Sequence, residues 1–372
     1  MVAELVRQRV VAVGSPVHDA FRAVLRHRFL PEADVDDVYR DAAVVTHRSP
    51  DGVPISSSSQ PSVMAQMLEQ LAVRPGHRVL EVGTGTGYNA ALLATLVGPQ
   101  GSITTVDVDP AICVAARRRL LDSGATNVSV VAGDGWMGVG GRGLFDRIEA
   151  TVGVSDLSTA WITRLEGNGV LVAPLWLRAG LQASVAFRRT KGGLESTSVE
   201  PCAFMRLRGA GAGDPAYERV GEWTVGFDKP DPEKAALVGQ LLQEPPEVEP
   251  APALDPGWFT GIALRRPDAI SFFSTRREGA LVCCGILDPS VSGIAMIASS
   301  PGVGSTMQVF GGELARRRLL GLIETEEPID VRSLTIRAIP AGVTVDGRGA
   351  LAVLRRRNFS FVIDRRTPVR VV

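Results

Sequence analysis

The chain has 372 residues, of which 45% are hydrophobic and 22% charged, and its 40 basic residues balance 40 acidic ones. That composition excludes a disordered or fibrous protein. The lack of a basic surplus argues against nucleic acid as the main partner, because phosphate binding draws on excess Lys and Arg. No apolar run reaches the length of about eighteen residues that spans a bilayer, so no membrane partner is expected. Cys113, Cys202, Cys283 and Cys284 have neither metal-ligand spacing nor the density of a disulfide scaffold, which suits a reducing compartment. Glu4, Arg7 and Arg9 interrupt the N-terminus, so it lacks the apolar core of a signal peptide and a cytoplasmic location is expected. The length favours two domains.

Residues 1–55 read as an N-terminal helical segment. Val17, Phe21, Val24 and Leu25 recur at helical spacing before Phe29, Leu30 and Pro31 end the pattern, and a polar turn follows from His47 to Pro54. Ser56 to Ser59 then offer helix caps, Pro61 suits a first helical position, and Met64, Met67, Leu68 and Leu71 share one face. From Arg78 short β-rich runs alternate with helical stretches: RVLEVG, NAALLATLV, SITTVDV, PAICVAARRRLLDSG, VSVVAGDG and FDRIEATV. The alternation predicts an α/β fold with a doubly wound, mostly parallel sheet and right-handed crossovers over residues 56–208. Residues 209–256, rich in proline (Pro230, Pro232, Pro245, Pro246, Pro250, Pro252, Pro256), read as a semi-rigid connector. Residues 257–372 hold short apolar runs and one helical pattern, GGELARRRLLGLIE, which predicts a second, smaller α+β domain.

The most informative segment is Glu81-Val82-Gly83-Thr84-Gly85-Thr86-Gly87-Tyr88-Asn89, where an apolar strand runs into alternating glycines and a helix opens. Glycines let the backbone approach a ligand, and the helix N-terminus offers free N–H donors, so a nucleotide-like ligand is expected. A P-loop would place Lys-Ser/Thr after the glycines, and a dinucleotide fingerprint would space its third glycine one residue later. The pattern found, preceded by Glu81, is that of S-adenosylmethionine enzymes. Asp107, with Val108 after it, ends the next strand, where a carboxylate can accept hydrogen bonds from ribose hydroxyls. Gly133-Asp134-Gly135 follows the third strand and puts a second carboxylate near the adenine. Tyr88 either shapes the methionine end of the pocket or packs in the core.

These residues resemble the protein-L-isoaspartate (D-aspartate) O-methyltransferases over about residues 25 to 205. The similarity lies in Ile55 to Pro61, VLEVGTGTGYNAALLA, NVSVVAGDG, FDRIEA and LEGNGVLVAPL. It implies a Rossmann-like, class I S-adenosylmethionine methyltransferase domain with S-adenosylmethionine as cofactor. It also implies a peptide or protein substrate bearing Asp or isoAsp, and a serine beside the accepting carboxylate. That serine corresponds to Ser59, with Ser57 the next candidate because Ser56 to Ser59 leave the register open. A peptide carboxylate is already ionised near neutral pH, so the chemistry requires orientation and water exclusion rather than a general base. The length beyond Arg208 suggests a specialised homologue whose C-terminal part recognises a ribosomally made peptide, its methyl ester closing to an aspartimide. General repair of isoaspartyl residues and a catalytically inactive peptide-binding protein are the alternatives. No N-P-P-Y or D-P-P-Y tetrapeptide of the amino-group methylases is present. His18, His27, His47 and His77 show no ligand spacing, so no metal is expected. The methionine stripe reads as core, with Met64 the one member able to border the donor site.

Overall fold

The computed structural model describes residues 1–366 except 51, 53, 142, 179, 214–216, 222, 228–230, 253, 256, 267, 275–280, 289, 291 and 301–303. Pro230, Pro256 and the side chain of Cys283 lie outside the described residues. A parallel core of five strands, in spatial order Leu165–Trp176, Phe145–Ala150, Arg78–Val82, Ser102–Asp107 and Val128–Ala132, carries the C-terminal strand ends on which the glycine loop sits. Side-chain alternation along these strands feeds two cores. Leu80, Val82, Ile148 and Ala150 pack on one face with Trp161, while Val79, Val170 and Val172 pack on the other with the helices Pro16–Ala23, Pro61–Leu71 and Tyr88–Val97. The fold is a doubly wound α/β architecture with helices on both faces of its parallel core.

The sheet does not stop at the parallel core. Gln182–Thr190 and Gly193–Pro201 add antiparallel strands, and Leu334–Pro340, Phe359–Arg365 and Ala352–Arg355 then extend the same sheet to ten. The last three come from the stretch expected to form a separate C-terminal domain. Gly193 permits the join: its φ is +141°, and a Cβ there would stand 2.2 Å from the Ala338 carbonyl oxygen. Ile336, Phe361 and Ile363 share one core with Val185, Phe187 and Leu194. A chain ended after Asp330 would uncover that face, so it is expected to aggregate or to lose its cooperative melt. Circular dichroism of the truncated protein checks this, and a parent-like transition would contradict it.

The proline-rich stretch also departs from the connector expectation. Tyr217–Val220 and Trp223–Gly226 form a hairpin on one edge of a second, seven-stranded antiparallel sheet, and Glu247–Pro250 lies on the opposite edge. Proline is tolerated there because an edge strand leaves one row of its N–H groups unpaired. Between them the helix Pro232–Leu241 lays Ala235 and Val238 on one face of the sheet, where Phe272, Met296 and Phe310 meet them. The helix Glu313–Thr325 covers the other face through Ala315, Leu319 and Leu322. Among the described residues no helix is long and apolar enough to cross a membrane.

Candidate functional site

A large cleft opens at the C-terminal ends of the parallel strands, enclosing about 1380 Å³ when the part open to solvent is counted. Its floor is the glycine loop. Gly83 has φ +107°, and a Cβ there would stand 2.5 Å from Thr151 Oγ1, so no other residue fits the turn without displacing the neighbouring strand end. The loop is pinned from both sides: Gly83 N donates to Val106 O (2.8 Å), and Thr151 Oγ1 donates to Gly83 O (2.7 Å). Asp107 accepts from Gly85 N (3.2 Å) and from Asp109 N (3.2 Å), which fixes its carboxylate at the rim. Beneath the loop Glu81, fully buried, accepts from Thr105 Oγ1 (2.5 Å), and Thr105 is in turn 2.8 Å from Thr84 Oγ1.

The facing wall is the serine segment. In the strand Pro54–Ser58 burial alternates, so Ser56 and Ser58 turn inward while Ser57 is half-buried, and Ser57, Ser59 and Gln60 line the cleft. The Ser57 carbonyl oxygen lies only 3.5 Å from where a Cβ on Gly85 would stand, which brings the serine turn directly against the glycine loop. Arg26 holds this turn from behind. It is completely buried, donates to the carbonyls of Ser58 (3.3 Å) and Ser59 (2.9 Å), and lies 5.4 Å from the Tyr88 ring centroid. Burial lowers its pKa, and Tyr88, Asp41 and Tyr39 act in the opposite direction.

Of the residues singled out from sequence, Ser57, Ser59, Gly83, Thr84, Gly85, Asn89, Asp107, Val108 and Gly135 line this one cleft. Glu81, Gly87, Tyr88, Gly133 and Asp134 do not. Tyr88 turns away from the cleft into the N-terminal helices, where it packs edge-on to Phe21 and against Phe29, so core packing is its role. Its hydroxyl is buried without a hydrogen-bond partner. Tyr88→Phe is therefore expected to leave ligand affinity unchanged and to keep or slightly raise the melting temperature, since removing an unsatisfied buried hydroxyl relieves a desolvation cost. A clear fall in either quantity would restore a pocket role. Gly87 caps the helix Tyr88–Val97 against Leu120. Asp134 spends its oxygens on Trp136 N (2.9 Å) and Ala210 N (2.7 Å), and Gly133 adjoins it.

The third wall of the cleft has no local signal in the sequence. Residues 203–208 cross the strand ends, held by Phe204 N donating to Gln182 Oε1 (2.5 Å), Gly153 N to Met205 O (2.7 Å) and Leu207 N to Gly153 O (2.9 Å). Arg206 and Arg208 join the lining there, and Arg208 stands 3.6 Å from Asp107. Glu149 was not singled out from sequence, although a charge inside the apolar run FDRIEA was its signal. It lines the cleft, is 1% exposed, and accepts from Asn89 Nδ2 (2.8 Å). Burial pushes Glu149 up to about 8, aided by Glu81, and pushes Glu81 up to about 7.

The chemistry of the loop side fits an adenosyl sulfonium. Asp107 can accept from ribose hydroxyls, Asp107 and Glu149 suit a cation, and the loop has no lysine for a phosphate chain. Among the described residues no cluster could hold a metal ion. A family model described as protein-L-isoaspartate(D-aspartate) O-methyltransferase matches residues 1–211. A protein-L-isoaspartate O-methyltransferase of Thermotoga maritima is 38% identical over 167 residues, 45% of this chain, and the match spans about half (52%) of that relative's length. One from a Bradyrhizobium species is 37% identical over 190 residues, 51% of this chain and 84% of the relative. A solved structure titled protein-L-isoaspartate O-methyltransferase superposes with a TM-score of 0.53 at 23% identity, covering 90% of this chain and 94% of that one. The second sheet and the added strands thus lie within a fold already seen under that title. Enzymes of this family take their methyl group from S-adenosylmethionine. With its match over more than half its length, the chain belongs to the protein-L-isoaspartate(D-aspartate) O-methyltransferase family.

Proposed function

We propose that this chain methylates the free α-carboxylate of L-isoaspartyl residues in proteins and peptides, as a general repair enzyme does. One observation carries the reading: the serine turn and the glycine loop face each other across one cleft, with Ser57 O 3.5 Å from where a Cβ on Gly85 would stand. When bound, S-adenosylmethionine supplies a methyl group already activated on a sulfonium. The chain's own work is to hold and to shield. Asp107 binds the ribose and Gly83 to Gly85 hold the amino-acid tail, which together orient the donor. Ser59, with Ser57 beside it, donates to the acceptor carboxylate and aims one oxygen, while Val63, Met64 and Met67 exclude water from the anion. No base is required, because the acceptor is already ionised. The ester carries a better leaving group than the free acid, so the following backbone nitrogen closes on it to a succinimide and expels methanol; water then opens the ring at either carbonyl, returning part of it to aspartate and part to isoaspartate for another round.

The length of the chain does not require a dedicated peptide partner, since a protein titled as an isoaspartate methyltransferase aligns with nine-tenths of it. Matched peptides carrying isoaspartate or aspartate at one position, incubated with enzyme and donor, test the assignment by mass spectrometry. A gain of one methyl group on the isoaspartyl peptide alone is expected. Equal methylation of both, or of neither, would overturn it.

A further inference from the structure

Two carboxyl groups meet beneath the glycine loop, and one of them reaches the cleft. Glu81 and Glu149 are register partners on adjacent parallel strands, so both side chains leave the sheet on the same face. Asn89 Nδ2 donates to each at 2.8 Å. Glu81 has Thr105 as a second donor and is sealed from the cleft, whereas Glu149 lines it beside Asn89. The surrounding elements bring Glu149 little compensation. Val172 opposes it on the next strand, and Met64 and Met67 face the cleft from the helix Pro61–Leu71. Arg147, two residues earlier on its own strand, is committed to the carbonyls of Leu71 and Ala72. On the far wall Arg208 stands by Asp107 and Arg206 donates to Ala212 O. Two carboxyl groups sharing one amide in a buried site cannot both ionise without a cation. The acceptor is an anion, so the cation has to arrive with the methyl donor.

We propose that Glu149 is the counter-ion for the cationic amino-acid end of the methyl donor, and that donor binding drives a proton off the Glu81–Glu149 pair into solvent. The proposal rests on the methyl-transfer reading of the cleft. Only an O–H bond breaks, and the proton passes to the buffer. Because the carboxylate form is the binding form, affinity rises with pH below the range in which the pair ionises, by at most about tenfold per pH unit.

Calorimetry of the full chain at pH 7, in phosphate and in Tris, with S-adenosylmethionine and with S-adenosylhomocysteine, tests this. The enthalpy for S-adenosylmethionine should differ between the buffers by the difference in their heats of protonation, for each proton released. The difference should vanish in Glu149→Gln, whose Kd rises about ten- to a hundredfold. The same release is expected with S-adenosylhomocysteine, which keeps the ammonium and lacks the sulfonium; release with S-adenosylmethionine alone would overturn the assignment to the amino-acid end. A buffer-independent enthalpy in the wild type, or release persisting in Glu149→Gln, overturns it. The wild-type arm needs no substitution, so a variant that fails to fold leaves the test intact. Methylation of an isoaspartyl peptide with buffer-independent binding would overturn this inference alone, and no donor binding at all would overturn the reading beneath it as well.

Discussion

Replacing Arg26 with methionine is expected to lower the turnover of methyl transfer at saturating donor by about tenfold or more while leaving donor affinity unchanged. Arg26 does not line the cleft. Its guanidinium ties the carbonyls of Ser58 and Ser59, and the serine turn meets the glycine loop across a gap that an added Cβ would close to 3.5 Å. Methionine fills the space but donates nothing, so the turn loses its anchor while the loop and Asp107 keep theirs. A misplacement of about 1 Å at reacting atoms is enough for large rate losses. Stability need not fall, because a buried cation bonded to carbonyls is costly to desolvate. Steady-state kinetics with donor calorimetry separate the two effects. An unchanged kcat would remove Arg26 from the positioning of the site.

The second large effect is expected at Asp107. Its carboxylate sits at the rim, with a side chain 11% exposed, and accepts from the backbone of Gly85 and Asp109. Alanine there removes the acceptor for the ribose hydroxyls and frees the loop. Hydrogen bonds to a charged group contribute about 1.5–3 kcal/mol each, so donor affinity should fall about a hundredfold or more. The fold should survive, because Asp107 ends its strand and the core residues Ile103 and Val106 remain. Calorimetry and a thermal melt check both halves. Retained affinity would show that another group holds the ribose.

The donor side of the site was legible because its signals are local. An apolar strand, three alternating glycines and a carboxylate ending the next strand occupy consecutive βα units, and Gly83, Gly85 and Asp107 meet in one cleft. Tyr88 follows the glycines in sequence but faces inward, because the N-terminal helices bring Phe21 and Phe29 against it from some sixty residues upstream. The wall at 203–208 has no periodicity and comes from irregular backbone bonded to Gly153 and Gln182, so nothing local announces it. Strand character in LTIRAI and FSFVI was readable, whereas the docking of the first on Gly193–Pro201 and of the second on the first was not. Alternation encodes which face is buried and leaves the neighbouring strand open. The proline-rich stretch misled for a related reason, since edge strands tolerate the residues that otherwise mark a linker.

The most direct test is a crystal structure of the chain with S-adenosylhomocysteine. The ribose is expected on Asp107, the amino-acid tail over Gly83 to Gly85 beside Glu149, and the sulfur facing Ser57 and Ser59. A ligand bound away from the glycine loop, or one whose sulfur is turned from the serine segment, would contradict it.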